Sequence, residues 1–157
     1  MRRKDREVKD FEIIKQIIDE CNVIRIGLMD DDMYPYIVPM NFAYKVDGEN
    51  ICFYLHGALA GRKYELMKKN GVCSFEMDCA HRMKFIYETM DVTMAYKSVM
   101  GKANIEFLED EKKKEALDLL MNRDKCTENF DYNKSIIPYT AVIKLTVTEY
   151  TGKINPF

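Results

Sequence analysis

The stretch from Ile51 to Asn70 constrains the fold of this chain more strongly than any other. It opens with Ile51-Cys52-Phe53-Tyr54-Leu55-His56, which is apolar on both faces, so we expect a strand with a central place in a sheet. Gly57 and Gly61 follow as turn residues, and Arg62 to Asn70 has the pattern of a short helix. The sequence here predicts a strand, a glycine-rich turn and a helix start, in that order.

Strand patterns outnumber helix patterns in the rest of the chain. The other segments with strand character are Val23 to Met29, Tyr34 to Val46, Val72 to Met77, Met94 to Phe107 and Tyr139 to Tyr150. The other predicted helices run from Phe11 to about Asn22 and from Asp110 to Arg123. Six strands and three helices indicate a mainly β (α+β) fold, a small antiparallel barrel with the helices as insertions.

Three local features refine this prediction. Asp47-Gly48 supplies the chemistry of a hairpin turn. Gly101, inside a strand, marks a bulge or a close approach of two backbones. The polar stretch from Asp78 to Thr93 is expected to be irregular.

The composition fits one soluble globular domain over residues 1–157, since 47% of the residues are hydrophobic and 32% are charged. Lysine and arginine number 24 against 26 acidic residues, and the net charge of -2 offers no broad attraction to nucleic acid or anionic lipid. No apolar run reaches the roughly 18 residues that span a bilayer, and the opening MRRKDREVKD is not a signal-peptide core. We therefore expect a cytoplasmic protein with no nucleic-acid or membrane partner.

The five cysteines are odd in number and irregularly spaced, so we expect reduced thiols. Cys79-Ala80-His81 places two ligating side chains in one short segment, whereas zinc takes three or four protein ligands. We predict a loop there and no bound metal.

The strongest chemical signal is the pair Arg62 and Lys63 in the first turn of the predicted helix. Cations are normally disfavoured there, because the helix dipole and the unpaired N–H groups are positive at that end. An anion in this turn would account for them, and phosphate is the usual one. The alternative is that both side chains simply reach solvent. The chain lacks the triphosphate loop and the Gly-x-Gly-x-x-Gly fingerprint, which leaves a mononucleotide or a sugar phosphate.

His56 and the segment Pro39 to Phe42 are further candidates. His56 ends the central strand on the same face as Cys52 and Tyr54, and is either a structural residue or a proton donor. Pro39 prevents full pairing of its strand, which either frees backbone groups for a polar ring edge or marks an edge strand with a bulge. A serine hydrolase is not expected, because no Gly-x-Ser-x-Gly elbow is present.

Several motifs in this order resemble a known family. They are Arg25-Ile26-Gly27-Leu28, Pro35-Tyr36-Ile37-Val38-Pro39-Met40-Asn41-Phe42, Phe53-Tyr54-Leu55-His56-Gly57-Ala58, Gly61-Arg62-Lys63, Tyr96 to Ala103, the helix Asp110 to Asn122 and Thr151-Gly152-Lys153. Together they resemble the FMN-binding split barrels related to pyridoxamine 5'-phosphate oxidase, and most of all the nitroimidazole-resistance (Nim-type) flavoproteins. The resemblance covers about residues 10–153 and implies a six-stranded antiparallel split β-barrel with peripheral helices.

The resemblance also implies a homodimer with two FMN sites at the subunit interface. Arg62 and Lys63 would hold the FMN phosphate, and the flavin ring would lie beside Pro39, Met40, Asn41 and Phe42. His56, Gly57 and Ala58 would border the ring, with His56 as the catalytic residue in the pocket where a substrate stacks. From the partner subunit, Tyr96, Ser98 and Val99 would approach the cofactor.

The departures from the family shape the expected function. The oxidase carries an arginine and a lysine where this chain has Val38 and Ala43, and its C-terminal Arg-x-His motif is missing here. We therefore expect an FMN-dependent oxidoreductase that reduces a small acceptor such as a nitroaromatic compound, rather than one that oxidises pyridoxamine phosphate. The segment His81 to Asp91 is expected to shape the substrate pocket. The alternatives are a flavin- or heme-binding barrel without turnover and a purely structural interaction domain.

Overall fold

The computed structural model describes residues 2–123, 133 and 135–156. Its α-helices are α1 (Phe11–Glu20), α2 (Arg62–Asn70) and α3 (Asp110–Arg123). Its strands are β1 (Glu7–Val8), β2 (Ile24–Met29), β3 (Pro35–Met40), β4 (Ala43–Asp47), β5 (Asn50–Ala58), β6 (Val72–Ile86), β7 (Asp91–Phe107) and β8 (Thr140–Asn155).

One antiparallel sheet contains all of these strands. Seven of them follow the order β3-β2-β6-β7-β8-β5-β4, and β1 pairs with β8. The first and last strands of this order, β3 and β4, are joined only by Asn41 and Phe42. Because so short a link cannot cross a flat sheet, the sheet must curl until its two edges approach each other. The edges do not pair, and we call the opening between them the split.

The core fills the inside of this curled sheet. Alternate residues of β5 point inward, and the Phe53 ring meets Phe42 edge-on at 5.5 Å and Phe75 at 5.2 Å between centroids. Helix α1, capped by Asp10 through its bond from the Glu12 N–H, buries its isoleucine face against the core. The core therefore fixes β5, whose C-terminal end leads to α2.

The structure confirms the predicted mainly β fold and corrects its details. Helices α2 and α3 have the predicted bounds, and the hairpin turn after Asp47 has Gly48 at a φ of +60°. Eight strands replace the predicted six. The segment Tyr34 to Val46 is two strands, because the chain leaves one sheet edge at Met40 and joins the other at Ala43.

The segment from Asp78 to Thr93 is not irregular, because it belongs to the long hairpin of β6 and β7. We call residues 82–95 of this hairpin the arm. A register shift between Cys79 and Arg82, with Ala80 at a φ of +56°, sets the arm's direction. The predicted close approach at Gly101 is also confirmed, since a Cβ there would overlap the Glu149 carbonyl oxygen and lie 2.8 Å from the Phe75 ring.

Candidate functional site

The split brings together three of the residues singled out in the sequence. Met40 ends β3, Gly57 lies near the end of β5, and Lys63 is in the first turn of α2. A Cβ on Gly57 would lie 3.0 Å from Lys63 Nζ and 4.0 Å from Met40 Cε. Glycine at 57 therefore lets the Lys63 ammonium rest against the strand. None of the ion pairs within the described residues involves Lys63.

The N-terminal end of α2, which carries Lys63, is open to the split. Gly61 is the N-cap with a φ of 93°, and no side chain caps the helix. The Glu65 N–H bonds the Gly61 carbonyl, so the N–H groups at the very start of α2 have no partner within the helix. With the helix dipole and the Lys63 ammonium, they form a positive site that an anion would complement.

Arg62 behaves differently from its neighbour. Its Nε donates to Asp30 Oδ2 at 3.0 Å and its Nη2 donates to Asp30 Oδ1. This bidentate pair holds the pKa of Asp30 below its ordinary value. The anion that Arg62 meets within this chain is thus a carboxylate, and the two N–H groups of Nη1 and the second N–H of Nη2 remain for another ligand.

The end of β5 exposes backbone on its split side. β4 pairs with β5 only as far as Tyr54, whereas β8 follows β5 to Ala58. The opposite edge of β5 beyond Tyr54 therefore has no strand partner among the described residues. His56 and Ala58 are exposed there and Gly57 is half-buried. The backbone freed at this edge, together with that of β3, can hydrogen-bond a planar polar ligand.

The residues of the β3–β4 link face different environments. Pro39 and Asn41 are exposed, and Pro39 sits opposite Arg25 in the sheet. Phe42 is a core residue, 1% exposed, with the Arg123 guanidinium 3.8 Å above its ring. Its side chain therefore belongs to the interior rather than to the split.

The three predicted residues on β7 are separated from both β3 and β5 by other strands of the sheet. Along β8, His56 is opposite Val142, whereas Tyr96 is opposite Asn155. Across the other side of the sheet the route is shorter, because Pro39 pairs with Arg25, Arg25 with Glu76 and Glu76 with Met100, in three steps of about 4.8 Å each. Ser98 is a buried residue on the outer face of the sheet. Val99 is fully buried in the core, so only the backbone of Val99 can meet a ligand. No strand pairing among the described residues joins β7 directly to β3 or β5.

A charged cluster beside Ser98 was not expected from the sequence. Asp78, opposite Ser98 in the sheet, accepts from Arg25 at 2.5 Å and lies 2.7 Å from Nε2 of His81. Glu76 also pairs with Arg25, at 3.1 Å. No local pattern could reveal the cluster, because it depends on the pairing of β2 with β6.

The cluster borders a groove of about 750 Å³ on the outer face of β2, β6, β7 and β8. Its lining combines apolar side chains, such as Ile37 and Met100, with charges of both signs, such as Arg25, Lys102 and Glu149. Within the residues that the structure describes, no group of three or more His, Cys, Asp and Glu side chains is placed to hold a metal ion. No helix among them is long and apolar enough to cross a bilayer.

The comparisons with known proteins agree with this architecture. The family model described as "Pyridoxamine 5'-phosphate oxidase" matches residues 10–154. A "putative 5-nitroimidazole antibiotic resistance protein" from Bacteroides thetaiotaomicron is 30% identical, with a TM-score of 0.82 over 94% of this chain and 86% of that one. No curated protein sequence matches significantly.

Two further solved structures share the fold at lower identity. The flavocytochrome Anf3 from Azotobacter vinelandii has a TM-score of 0.81 at 21% identity, covering all 100% of this chain and 72% of its own. The FAD and heme binding protein from Mycobacterium smegmatis also has a TM-score of 0.81, at 15% identity, over 96% of this chain and 73% of its own.

Proposed function

The chain belongs to the pyridoxamine 5'-phosphate oxidase family, and from this premise we propose that it binds FMN at the split and reduces a small acceptor, such as a nitroaromatic compound. The observation that carries the proposal is the arrangement of Lys63 over Gly57 beside the uncapped start of α2. A phosphate is the anion that such a site takes most readily. The names of the similar structures, one a nitroimidazole resistance protein and two that bind flavin or heme, support the same cofactor class and acceptor.

The residues at the split fit a mononucleotide in three respects. The Lys63 ammonium and the first N–H groups of α2 meet the phosphate charge. The free edge of β5 offers hydrogen bonds to the polar edge of the ring. The Met40 side chain, near Gly57, supplies an apolar contact for a ring face. Arg62, paired with Asp30, would contribute through its remaining N–H groups.

The protein's chemical part in this function is to bind, orient and protonate. Bound FMN would supply the transfer of electrons through its ring system. His56 is exposed beside Gly57 at the end of β5, where its imidazole can deliver a proton to a reduced acceptor. The two exposed neighbours Ala58 and Asn41 leave room for a flat molecule against the same edge.

We propose that the working molecule is a homodimer. In this dimer, Tyr96 and Ser98 of one copy would meet the flavin held at the split of the other. They lie on the same outer face as the groove, whose mixed charges and apolar side chains suit contact with an identical surface. Lys153 donates to Tyr96 and lowers the pKa of its hydroxyl, which keeps this side chain in place on that face.

A flavin titration tests the cofactor and its phosphate contact. We expect the protein to take up FMN, quench its fluorescence and retain it through gel filtration. Lys63→Met removes one charge-assisted bond and should weaken FMN binding by about ten- to a hundredfold. Lys69→Met is the matched control, because Lys69 lies at the far end of α2 and pairs with Asp31. Affinity for riboflavin, which has no phosphate, should be equal in the parent and Lys63→Met.

Two results would contradict the proposal at different levels. If the protein neither contains nor takes up flavin, the cofactor assignment is wrong. If FMN binds but Lys63→Met binds it as tightly as the parent does, the phosphate lies elsewhere. Anaerobic addition of a nitroimidazole to the reduced flavoprotein then tests the acceptor, since the flavin absorbance should return.

Heme is the second candidate ligand, because two structures with the same fold are named for it. His56, exposed at the split, is the imidazole placed to ligate iron there. A Soret band that forms with hemin in the parent and is lost in His56→Gln would favour this ligand over FMN.

A further inference from the structure

The arm carries a surface of apolar side chains that are exposed to solvent. Met83 pairs with Met94 and Phe85 pairs with Val92 across the hairpin, and the Tyr87 ring stacks beside that of Phe85 at 6.3 Å between centroids. Their exposed fractions run from 43% for Met94 to 78% for Tyr87. Because paired residues lie on the same face of a two-stranded ribbon, these five side chains form one continuous apolar surface. We call it the arm face.

The register shift at the base of the arm creates this surface. In the first part of β6 the alternate residues Phe75 and Met77 point into the core, and the same alternation would turn Met83 and Phe85 inward as well. The shift adds one residue to β6 relative to β7. One extra residue moves the alternation by one position, so Met83 and Phe85 point outward.

The opposite face of the arm is polar, and it is the face that the rest of the chain partly covers. Lys84 and Thr93 are half-buried there, beside the end of β8. Asn155 Nδ2 donates to Thr93 Oγ1 at 3.4 Å, and Lys84 Nζ donates to the Pro156 carbonyl oxygen at 3.3 Å. A sheet with one face in water ordinarily exposes its polar face and covers its apolar one. The arm has the reverse arrangement, and an exposed apolar surface of this kind marks a contact with another molecule.

The arm face and the groove lie on the same side of β7. The extra residue is on β6, so the alternation of β7 continues unbroken from Val92 and Met94 through Tyr96 to Met100. Met100 lines the groove. Met94 and Met100 are six positions apart on one strand, or about 20 Å at ~3.3 Å per residue, so the arm cannot fold into the groove of its own chain.

We propose that the arm face of one chain packs into the groove of a second copy, while the arm of that copy fills the groove of the first. The contact is isologous, because each chain offers the same arm and the same groove. Ile37 and Met100 offer apolar contacts in the groove to Phe85 and Val92 of the arm. This inference rests on the homodimer of the proposed function, and it names the surfaces that hold the two chains together.

The position of the groove agrees with the site proposed for the flavin. The groove extends to Ile37 on β3, and β3 ends at Met40 beside the split. Tyr96 directly follows the arm on β7. An arm seated in the groove of the second copy would therefore bring Tyr96 to the side of that copy where β3 meets the split.

The dissociation of the dimer tests the arm face. We expect light scattering and sedimentation of the flavin-free full chain to show a dimer. Phe85→Ser should raise its dissociation constant by about a hundredfold, because each dimer contains the contact twice and one buried phenylalanine contributes on the order of tenfold. Met33→Ser is the matched control, since Met33 is an exposed side chain between β2 and β3, outside the arm and the groove. Both substitutions are at exposed positions of the single chain, so the circular dichroism spectrum should not change.

Photochemical crosslinking tests where the arm lies. The probe is p-benzoylphenylalanine in place of Phe85, in chains that are refolded together with isotope-labelled parent chains and then irradiated. Mass spectrometry of the digest should show position 85 linked to peptides that contain Ile37 or Met100. The links should join unlabelled probe peptides to labelled ones, as an exchange between two chains requires.

Three results would overturn the inference. They are a dimer that Phe85→Ser leaves equally tight, crosslinks from position 85 that fall only outside the groove, and a parent chain that is monomeric. For a monomer, binding to phosphatidylcholine vesicles that Phe85→Ser abolishes would assign the arm face to lipid instead. None of these measurements uses flavin, so failure of the cofactor assignment is recognised separately, by FMN uptake and its dependence on Lys63.

Discussion

At the scale of single residues, the two adjacent cations at the start of α2 have separate tasks. Arg62 is held by Asp30, whereas Lys63 lies against Gly57 at the split. The sequence predicted an anion for both, and the structure provides a carboxylate for one. The difference arises because Asp30 begins the turn after β2, which the curled sheet brings to α2, and no local pattern encodes that contact.

The two histidines give a prediction at this scale. His56→Gln should slow reoxidation of the reduced flavoprotein by a nitroaromatic acceptor about a hundredfold, because positioned proton donors contribute at least about this much. FMN affinity should stay the same. The measurement is an anaerobic stopped-flow trace of flavin absorbance.

His81→Gln is the control for this experiment. Its imidazole lies 2.7 Å from Asp78, on the outer face of the sheet rather than at the split. If His81→Gln slows reoxidation and His56→Gln does not, the proton donor is the histidine that Asp78 orients, and the role assigned to His56 is wrong.

At the scale of elements, β7 and β8 can approach only because position 101 has no side chain. Gly101→Ala should lower the free energy of unfolding by about 1–3 kcal/mol, since the backbone carbonyl of Glu149 cannot move aside as a flexible side chain would. Urea unfolding measures the change.

Gly27→Ala on β2 is the matched control for this loss. A Cβ at Gly27 would have its nearest neighbours at 3.9 Å, an ordinary contact distance. Equal stabilities of the two variants would mean that β7 and β8 adjust to the new methyl group, contrary to the expected overlap.

The elements also show what the sequence could predict. Helices α2 and α3 were predicted with their exact bounds, because turn residues and helical periodicity act over a few neighbouring positions. The strand Tyr34 to Val46 was not divided, because the break depends on which sheet edge each half joins. The arm was missed for a similar reason: its mixed polar and apolar residues become a strand only through their pairing across the hairpin.

The same limit applies to the residues proposed for the candidate site, whose roles stay predictions. Gly57 and Lys63 are neighbours in sequence and in space, so local reasoning placed them together. The place of Phe42 beside a ligand stays a prediction for its backbone, because its ring continues the inward alternation of Val38 and Met40 and fills the interior. Tyr96 and Ser98 remain a prediction for a second subunit.

At the scale of the whole molecule, the proposed dimer can be tested by mixing subunits. Light scattering should give twice the 18.5 kDa chain mass. Lys63→Met and Tyr96→Ala should each weaken FMN binding, whereas a mixture refolded together should recover tight sites. A mixed dimer has one intact site, built from Lys63 of one chain and Tyr96 of the other.

The mixing experiment has a clear contrary outcome. If the refolded mixture binds FMN no better than the separate variants do, the two residues do not meet across subunits. A monomeric mass with full flavin binding would likewise show that one chain holds the cofactor without help.

The pairing of β1 with β8 brings both ends of the described chain to one corner, since Glu7 lies opposite Lys153. Tyr96 occupies the same corner, with Lys153 5.3 Å from the centre of its ring. An affinity tag fused at either end would therefore lie close to Tyr96. Protein for ligand titrations is best prepared with a protease-cleavable tag and compared before and after its removal.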